Sequence, residues 1–174
     1  MKFKTLDWID GALHMLDQRL LPNKVENVVL KTYQEVSESI KNLTVRGAPA
    51  NGVAAAYGMA LAANRPELTE EDFSTEMEIA GAVLRASRPT AVNLQWAVNR
   101  MLDVMEENGE LPLPEMRAFA IQQAIKSHRE DALSCSNIGA NGAELLSDGM
   151  TILTHCNAGA LATAGMGTAL AVIY

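Results

Sequence analysis

Two short stretches carry the residue types that chemistry needs. Thr154-His155-Cys156-Asn157-Ala158-Gly159 sets a thiol directly before a small-residue turn. Met150 to His155 is apolar and partly β-branched, so it reads as a buried strand leading into a Gly-containing turn and a final helix. Cys156 then sits at the C-terminal end of a strand, where open α/β sheets bind ligands. The helix N-terminus beyond it offers amides and a positive dipole end, which hold an anion and lower a thiol pKa. The plain alternative is a buried cysteine packing as a small hydrophobe. His155 neighbours Cys156 in the strand and points to the opposite face. It reads as a core or supporting histidine, not as the partner of the thiol.

The second stretch is Arg46-Gly47-Ala48-Pro49. Arginine supplies a permanently charged fork for phosphate. Gly47 lets a ligand approach the backbone, and Pro49 suits a first helical turn. The bland reading is an ordinary helix–helix turn with a surface arginine. Arg88-Pro89-Thr90 has the same form, an arginine ahead of a helix start. His128 and Cys135 share a helix face, but zinc wants three or four ligands. They read as packing or solvated positions, and His14 has no evident partner.

The elements that would position these residues are mostly helices. Phe3, Thr5, Leu6, Trp8 and Ile9, then Ala12 to Leu16 and Val25 to Leu30, read as short strands, the first two joined by the turn dipeptide Asp10-Gly11. Helical spacing begins after Thr32, with Val36, Ile40 and Leu43 on one face. An Ala-rich helix is expected from about Ala50 to Ala63. A helix follows Thr69-Glu70-Glu71-Asp72, a capping-box variant, as far as about Ala86. Another carries Leu94, Val98, Met101, Leu102 and Met105, and a long one runs from about Glu115 to Leu146.

The expected fold is mainly α with a small N-terminal antiparallel β element (α+β), as a domain over 1–148. Residues 149–174 would then be the first strand and helix of a truncated Rossmann-like α/β domain. The segment Gly149 to Tyr174 has no charged residue but is only weakly apolar, with four Thr and four Gly. Lacking flanking Lys or Arg as well, it does not read as a membrane span. The chain stops within apolar sequence at Tyr174, so a C-terminal partner region is expected to be missing. An unpaired strand and an uncovered final helix would make that end a dimer interface.

Composition narrows the functions. With 14 Lys+Arg against 21 Asp+Glu, the formal charge of −7 argues against a duplex-wide nucleic-acid grip. Two cysteines make no disulfide framework, which suits a reducing, cytoplasmic setting. Asp7 and Asp10 interrupt the first apolar stretch, so no signal peptide is expected.

Taken together and in order, Leu16-Asp17-Gln18-Arg19-Leu20-Leu21-Pro22, Val45-Arg46-Gly47-Ala48-Pro49-Ala50, Gly52-Val53-Ala54-Ala55-Ala56-Tyr57-Gly58, Arg88-Pro89-Thr90-Ala91-Val92-Asn93-Leu94 and Thr154 to Thr163 are specific. The sequence resembles the methylthioribose-1-phosphate isomerase family of methionine salvage, within the wider group holding the alpha, beta and delta subunits of eukaryotic initiation factor 2B. The resemblance implies a helical N-terminal domain, a larger Rossmann-like C-terminal domain and a homodimer. It implies aldose–ketose isomerisation of a sugar 1-phosphate with neither metal nor organic cofactor. Cys156 would be the catalytic thiol or thiolate. Arg46, Gly47 and Ala48 would hold the phosphate, and Arg88 would touch the substrate. The family's second catalytic residue, an aspartate of the C-terminal domain, has no counterpart here, so this N-terminal part is expected to be inactive alone. A non-catalytic regulatory or assembly module that binds a sugar phosphate is the competing expectation, as is an isomerase for a deoxyribose or ribose phosphate. Two positions depart from the family pattern. Asn51 stands where an apolar residue is usual, and Ala171 where glycine is usual.

Overall fold

A computed structural model describes residues 4–174. Phe3, expected in the first strand, lies outside them. Three strands open the chain: β1 (Leu6–Ile9), β2 (Ala12–Leu16) and β3 (Asn27–Leu30), antiparallel in the order β1-β2-β3. Asp10 and Gly11 both take positive φ, at 48° and 78°. That is the backbone a two-residue hairpin turn needs to match strand twist. It pairs Ile9 with Ala12 and Leu6 with Met15, while β2 pairs Leu13 with Leu30 and Met15 with Val28. Leu6, Trp8, Leu13, Met15, Val28 and Leu30 therefore share the face that covers the helical core.

Five helices follow: α1 (Tyr33–Lys41), α2 (Ala48–Ala63), α3 (Glu70–Ser87), α4 (Val92–Glu106) and α5 (Leu113–Ala143). Thr32 and Glu35 close a full capping box on α1. At α3 the Thr69 hydroxyl accepts from Asp72 N–H, as expected of the cap. It also donates to the Asp72 carboxylate at 2.8 Å, so the box is not reciprocal.

Helix α2 is the axis of the body, buried from Ala50 to Ala63 without interruption. A helix that is apolar all round belongs inside, and its small residues let the others come close. A Cβ on Gly58 would lie 2.9 Å from Leu84 and 3.4 Å from Val36. One on Gly52 would lie 3.0 Å from the Asn93 carbonyl oxygen.

The sheet is tied to the helices through aromatic groups. Trp8 stacks on Tyr57, ring centroids 5.3 Å apart and nearly parallel. The Tyr57 hydroxyl oxygen lies 2.9 Å from His128 Nδ1, so α2 bonds to α5 in either tautomer. Burial holds the imidazole below its usual pKa, with Asp7 and Asp131 pulling upward and Lys4 and Arg129 downward. A base depressed in the folded state leaves the unfolded chain binding more protons between the two pKa values. The contribution to stability is then present above about pH 6.5 and shrinks as pH falls below it. Asp131, pushed up chiefly by burial, has the opposite sign in a window starting from ordinary aspartate values. We expect the thermal midpoint to fall between pH 7.5 and pH 5.5 (values about one unit either side of a free histidine), and to fall less in His128→Gln. An unchanged slope in that variant would show that His128 does not carry the effect.

The last part differs from expectation. Met150 to His155 forms no strand, and Leu153 is 96% exposed. A strand is stable only with a ladder partner, and among the described residues none lies beside it. The expected final helix is replaced by two short 3-10 turns, Ala160–Ala162 and Ala169–Val172. Its breaker is Thr163, whose buried hydroxyl accepts from the N–H groups of Gly165 and Gly167 at 3.2 Å each. Side-chain bonds of this kind compete with helical ones, and Gly167 at φ 107° closes the loop.

Candidate functional site

Segments far apart in sequence meet at the first turn of α2. After β2, the Asp17 carboxylate takes the Arg19 fork, with Nε at 2.8 Å and Nη2 at 2.6 Å, and the Arg19 N–H at 3.1 Å. The guanidinium, more than burial, sets the Asp17 carboxyl, which lies below its usual pKa. This fixes a turn whose Gln18 N–H donates to the Thr44 carbonyl at 3.0 Å. Asn42 Oδ1 accepts from both the N–H and the hydroxyl of buried Thr44. The chain then turns through exposed Arg46 into Gly47, at φ 103° and ψ 140°.

Gly47 lies against the turn that follows Cys156. A Cβ there would be 2.4 Å from both Cα and Cβ of Ala162, and 2.6 Å from its oxygen. The same turn is held from the sheet side. Thr5 Oγ1 donates to the Ala160 carbonyl at 2.9 Å, and Gln18 Nε2 to that of Leu161 at 2.7 Å. From α5, the Asp131 carboxylate accepts the Ala164 N–H at 2.7 Å. The Ala158 carbonyl accepts from Thr168 and Leu170, and Gly159 bridges to Gly167. This small-residue loop is thus packed onto the helix start.

The candidate residues fall as follows. Gly47 is buried and Ala48 is the exposed first residue of α2. Asn51 N–H donates to the Gly47 carbonyl, the first bond of the helix. The amides of Ala48 and Ala50 precede that bond and have no intrahelical acceptor, and Pro49 has no N–H to give. Arg46 and Arg88 take part in no ion pair among the described residues. Half-buried Arg88 caps the C-terminus of α3. Its loop leads to Asn93, whose carbonyl oxygen packs on Gly52 in the second turn of α2. A cavity of about 210 Å³ opens there between Pro49, Gly52, Asn93, Trp96 and Asp131. Cys156 is exposed, at φ 67°, a few residues before the packed loop. Cys135 is buried, and burial pushes its thiol pKa up.

A model of the initiation factor 2 subunit family matches residues 44–174. The chain belongs to this family. Methylthioribose-1-phosphate isomerase of Geobacter sulfurreducens is 47% identical to it, over 99% of this chain and 50% of that protein. The enzyme of the same name from Thermotoga neapolitana is 49% identical, over 99% and 49%. In three dimensions the chain is similar to 5-methylthioribose 1-phosphate isomerase from Pyrococcus horikoshii OT3, with TM-score 0.92, 43% identity, and coverage of 99% and 49%. It is also similar to the translation initiation factor eIF-2B subunit delta from A. fulgidus, with TM-score 0.87, 39% identity, and coverage of 99% and 50%. The chain spans about half the length of the curated relatives it matches. The mainly helical body with its three-stranded antiparallel sheet is the architecture shared with the Pyrococcus structure.

Sequence reasoning assigned no role to Thr5, Gln18 or Asp131, which hold the packed loop of this initiation factor 2 subunit family chain. For Asp131 a signal existed. His128, Asp131 and Cys135 stand at i, i+3 and i+7 on α5, so a carboxylate shares the buried stripe and must find a donor. For Thr5 and Gln18 there was none, since their acceptors are backbone carbonyls more than 140 residues away.

Proposed function

We propose that this chain supplies the phosphate-holding and thiol side of an aldose–ketose isomerase acting on 5-methylthioribose 1-phosphate. The observation that supports it is the backbone contact of Gly47 with Ala162, which ties the Arg46-Gly47-Ala48 turn to the loop after Cys156. In this reading the substrate phosphate lies over the α2 N-terminus, held by its amides and by Arg46, and Arg88 touches the sugar. A phosphate on C1 blocks simple hemiacetal opening, so the ring oxygen must take a proton as the ring opens. A hydrogen then passes from C2 to C1 while the C2 hydroxyl becomes a carbonyl. Cys156 serves as one member of the acid–base pair.

The other member would come from sequence outside these residues. We place it in a Rossmann-like domain that residues 149–174 open, the unit that would cover exposed Ile152 and Leu153 and give Met150–His155 its ladder. The working enzyme in this reading is a cytoplasmic homodimer. The likeness to the eIF-2B delta subunit favours a second reading, a sugar-phosphate-binding assembly module without turnover.

The 174-residue chain should bind 5-methylthioribose 1-phosphate without converting it. Nuclear magnetic resonance titration should shift the amides of Gly47, Ala48 and Ala50, and Arg46→Ala should weaken binding about tenfold. Iodoacetamide should alkylate Cys156 in the native chain, slowed by the ligand, and Cys135 only after unfolding. Saturating ligand that moves none of these amides and leaves Cys156 alkylation unchanged would refute the reading. Equal binding of inorganic phosphate and the sugar phosphate would favour the assembly module.

A further inference from the structure

A second concavity lies at the far end of the helical body. Helix α3 runs from Glu70, beside it, to Arg88 at its C-cap, and 18 residues of helix span about 27 Å. The cavity measures about 600 Å³ and opens between the start of α3, the end of α4 and the start of α5. That is the size of a small-molecule site. Its floor is Phe73, Met77, Leu102, Met105 and Met116, of which the three methionines are each at most 4% exposed. Methionine floors adapt to varied apolar shapes.

The rim decides what would enter. It carries Glu70, Glu78, Glu106 and Glu110, and among the described residues no lysine or arginine lines the cavity. Glu78 reaches Arg85 only at 3.8 Å, and Glu70 accepts the Leu113 N–H at 3.3 Å. Glu106 and Glu110 form no ion pair among the described residues. An anion would have to approach these carboxylates on a chain already at −7, whereas a cation is drawn in. A small inorganic cation would leave the apolar floor unused.

We infer that this cavity binds a small organic cation, an ammonium group on an apolar body, with the body on the methionine floor and the ammonium among Glu106, Glu110 and their neighbours. The site is separate from the phosphate turn and does not depend on the isomerase reading.

Three probes share one body and differ in charge: 4-phenylbutylammonium, 4-phenylbutanol and 4-phenylbutyrate. The ammonium should saturably shift the methyl signals of Met77, Met105 and Met116, with a Kd of about 1 mM or below. The alcohol should bind about fivefold more weakly and the carboxylate more weakly still. Glu106→Gln with Glu110→Gln should raise the ammonium Kd about fivefold without changing the melt, both side chains being exposed. Ser74→Trp, from an exposed lining position, should fill the mouth and abolish binding. The proposal is overturned by no saturable shift up to about 10 mM ammonium. It is equally overturned by equal binding of the carboxylate, by an unchanged Kd in the double variant, or by self-association of the chain that Ser74→Trp abolishes.

Discussion

Replacing Gly47 by alanine should cost this chain about 2–6 kcal/mol and should free the segment from Ala158 onward. Two independent effects add. At φ 103° and ψ 140° the residue occupies backbone space that side-chain-bearing residues avoid, at a cost of about 1–3 kcal/mol. The new Cβ would also sit 2.4 Å from the Cα of Ala162, which is backbone and cannot rotate away. Overpacking of this kind costs about another 1–3 kcal/mol. Lifting the 160–162 turn off α2 would relieve the clash. That would break the bonds from Thr5 and Gln18 to the Ala160 and Leu161 carbonyls. Hydrogen exchange should then accelerate at Ala162, Ala164 and Thr168, while the α2 amides beyond the first turn stay protected. A variant that melts with the wild type and keeps those three amides protected would contradict the packing described here.

The same contact shows what was legible in the sequence. The helical body was readable because its signals are local. Thr32 and Thr69 cap the helices they precede, and Asp10-Gly11 supplies the positive φ of the hairpin. Val36 with Ile40, and Leu94 with Val98, Met101 and Met105, lie on buried faces as expected, but Leu43, expected on the first of those faces, falls beyond the end of α1 at φ 67° and is exposed. Helix α2 begins at Ala48, two residues before the expected Ala50, and Pro49 lies in its first turn as its type allows.

The strand expected at Met150–His155 does not form among the described residues because a strand is not a local property. Met150 to His155 has the composition of a buried strand, yet nothing among the described residues offers it a ladder, and its large side chains face outward. The turns after it depend on Thr163 and Asp131 capturing backbone N–H groups, one from within the loop and one from another helix. Arg46 to Pro49 and Cys156 to Gly159 stand out in the sequence as motifs. The packing of Gly47 on Ala162, three residues past the second motif, does not, because a contact between glycine and alanine leaves no chemical mark in a sequence.

Asn51 makes the opposite kind of prediction, a gain. Its side chain is fully buried in the first turns of α2, and neither Oδ1 nor Nδ2 has a partner among the described residues. A buried amide without hydrogen bonds has given up its water contacts for nothing, at a cost of about 1–3 kcal/mol. The position lies on the helix face of Gly58, seven residues on, which packs against Leu84 and Val36. An apolar residue of similar volume would keep the packing and remove the penalty. Asn51→Val should therefore stabilise the chain by about 1–3 kcal/mol, since valine and asparagine are about equally suited to a helix interior. In a domain of this size that raises the thermal midpoint by about 2–4 °C for each kcal/mol. Asn51→Asp, a charge in the same place, should destabilise strongly and more so as pH rises, since burial would hold the carboxyl protonated. The two variants discriminate between an orphaned amide and a used one. If Asn51 in fact bonds a buried water or a bound substrate, the valine variant will melt lower than the wild type, or will bind the sugar phosphate more weakly while melting higher. The orphan reading requires a higher midpoint with binding at the Arg46 turn unchanged.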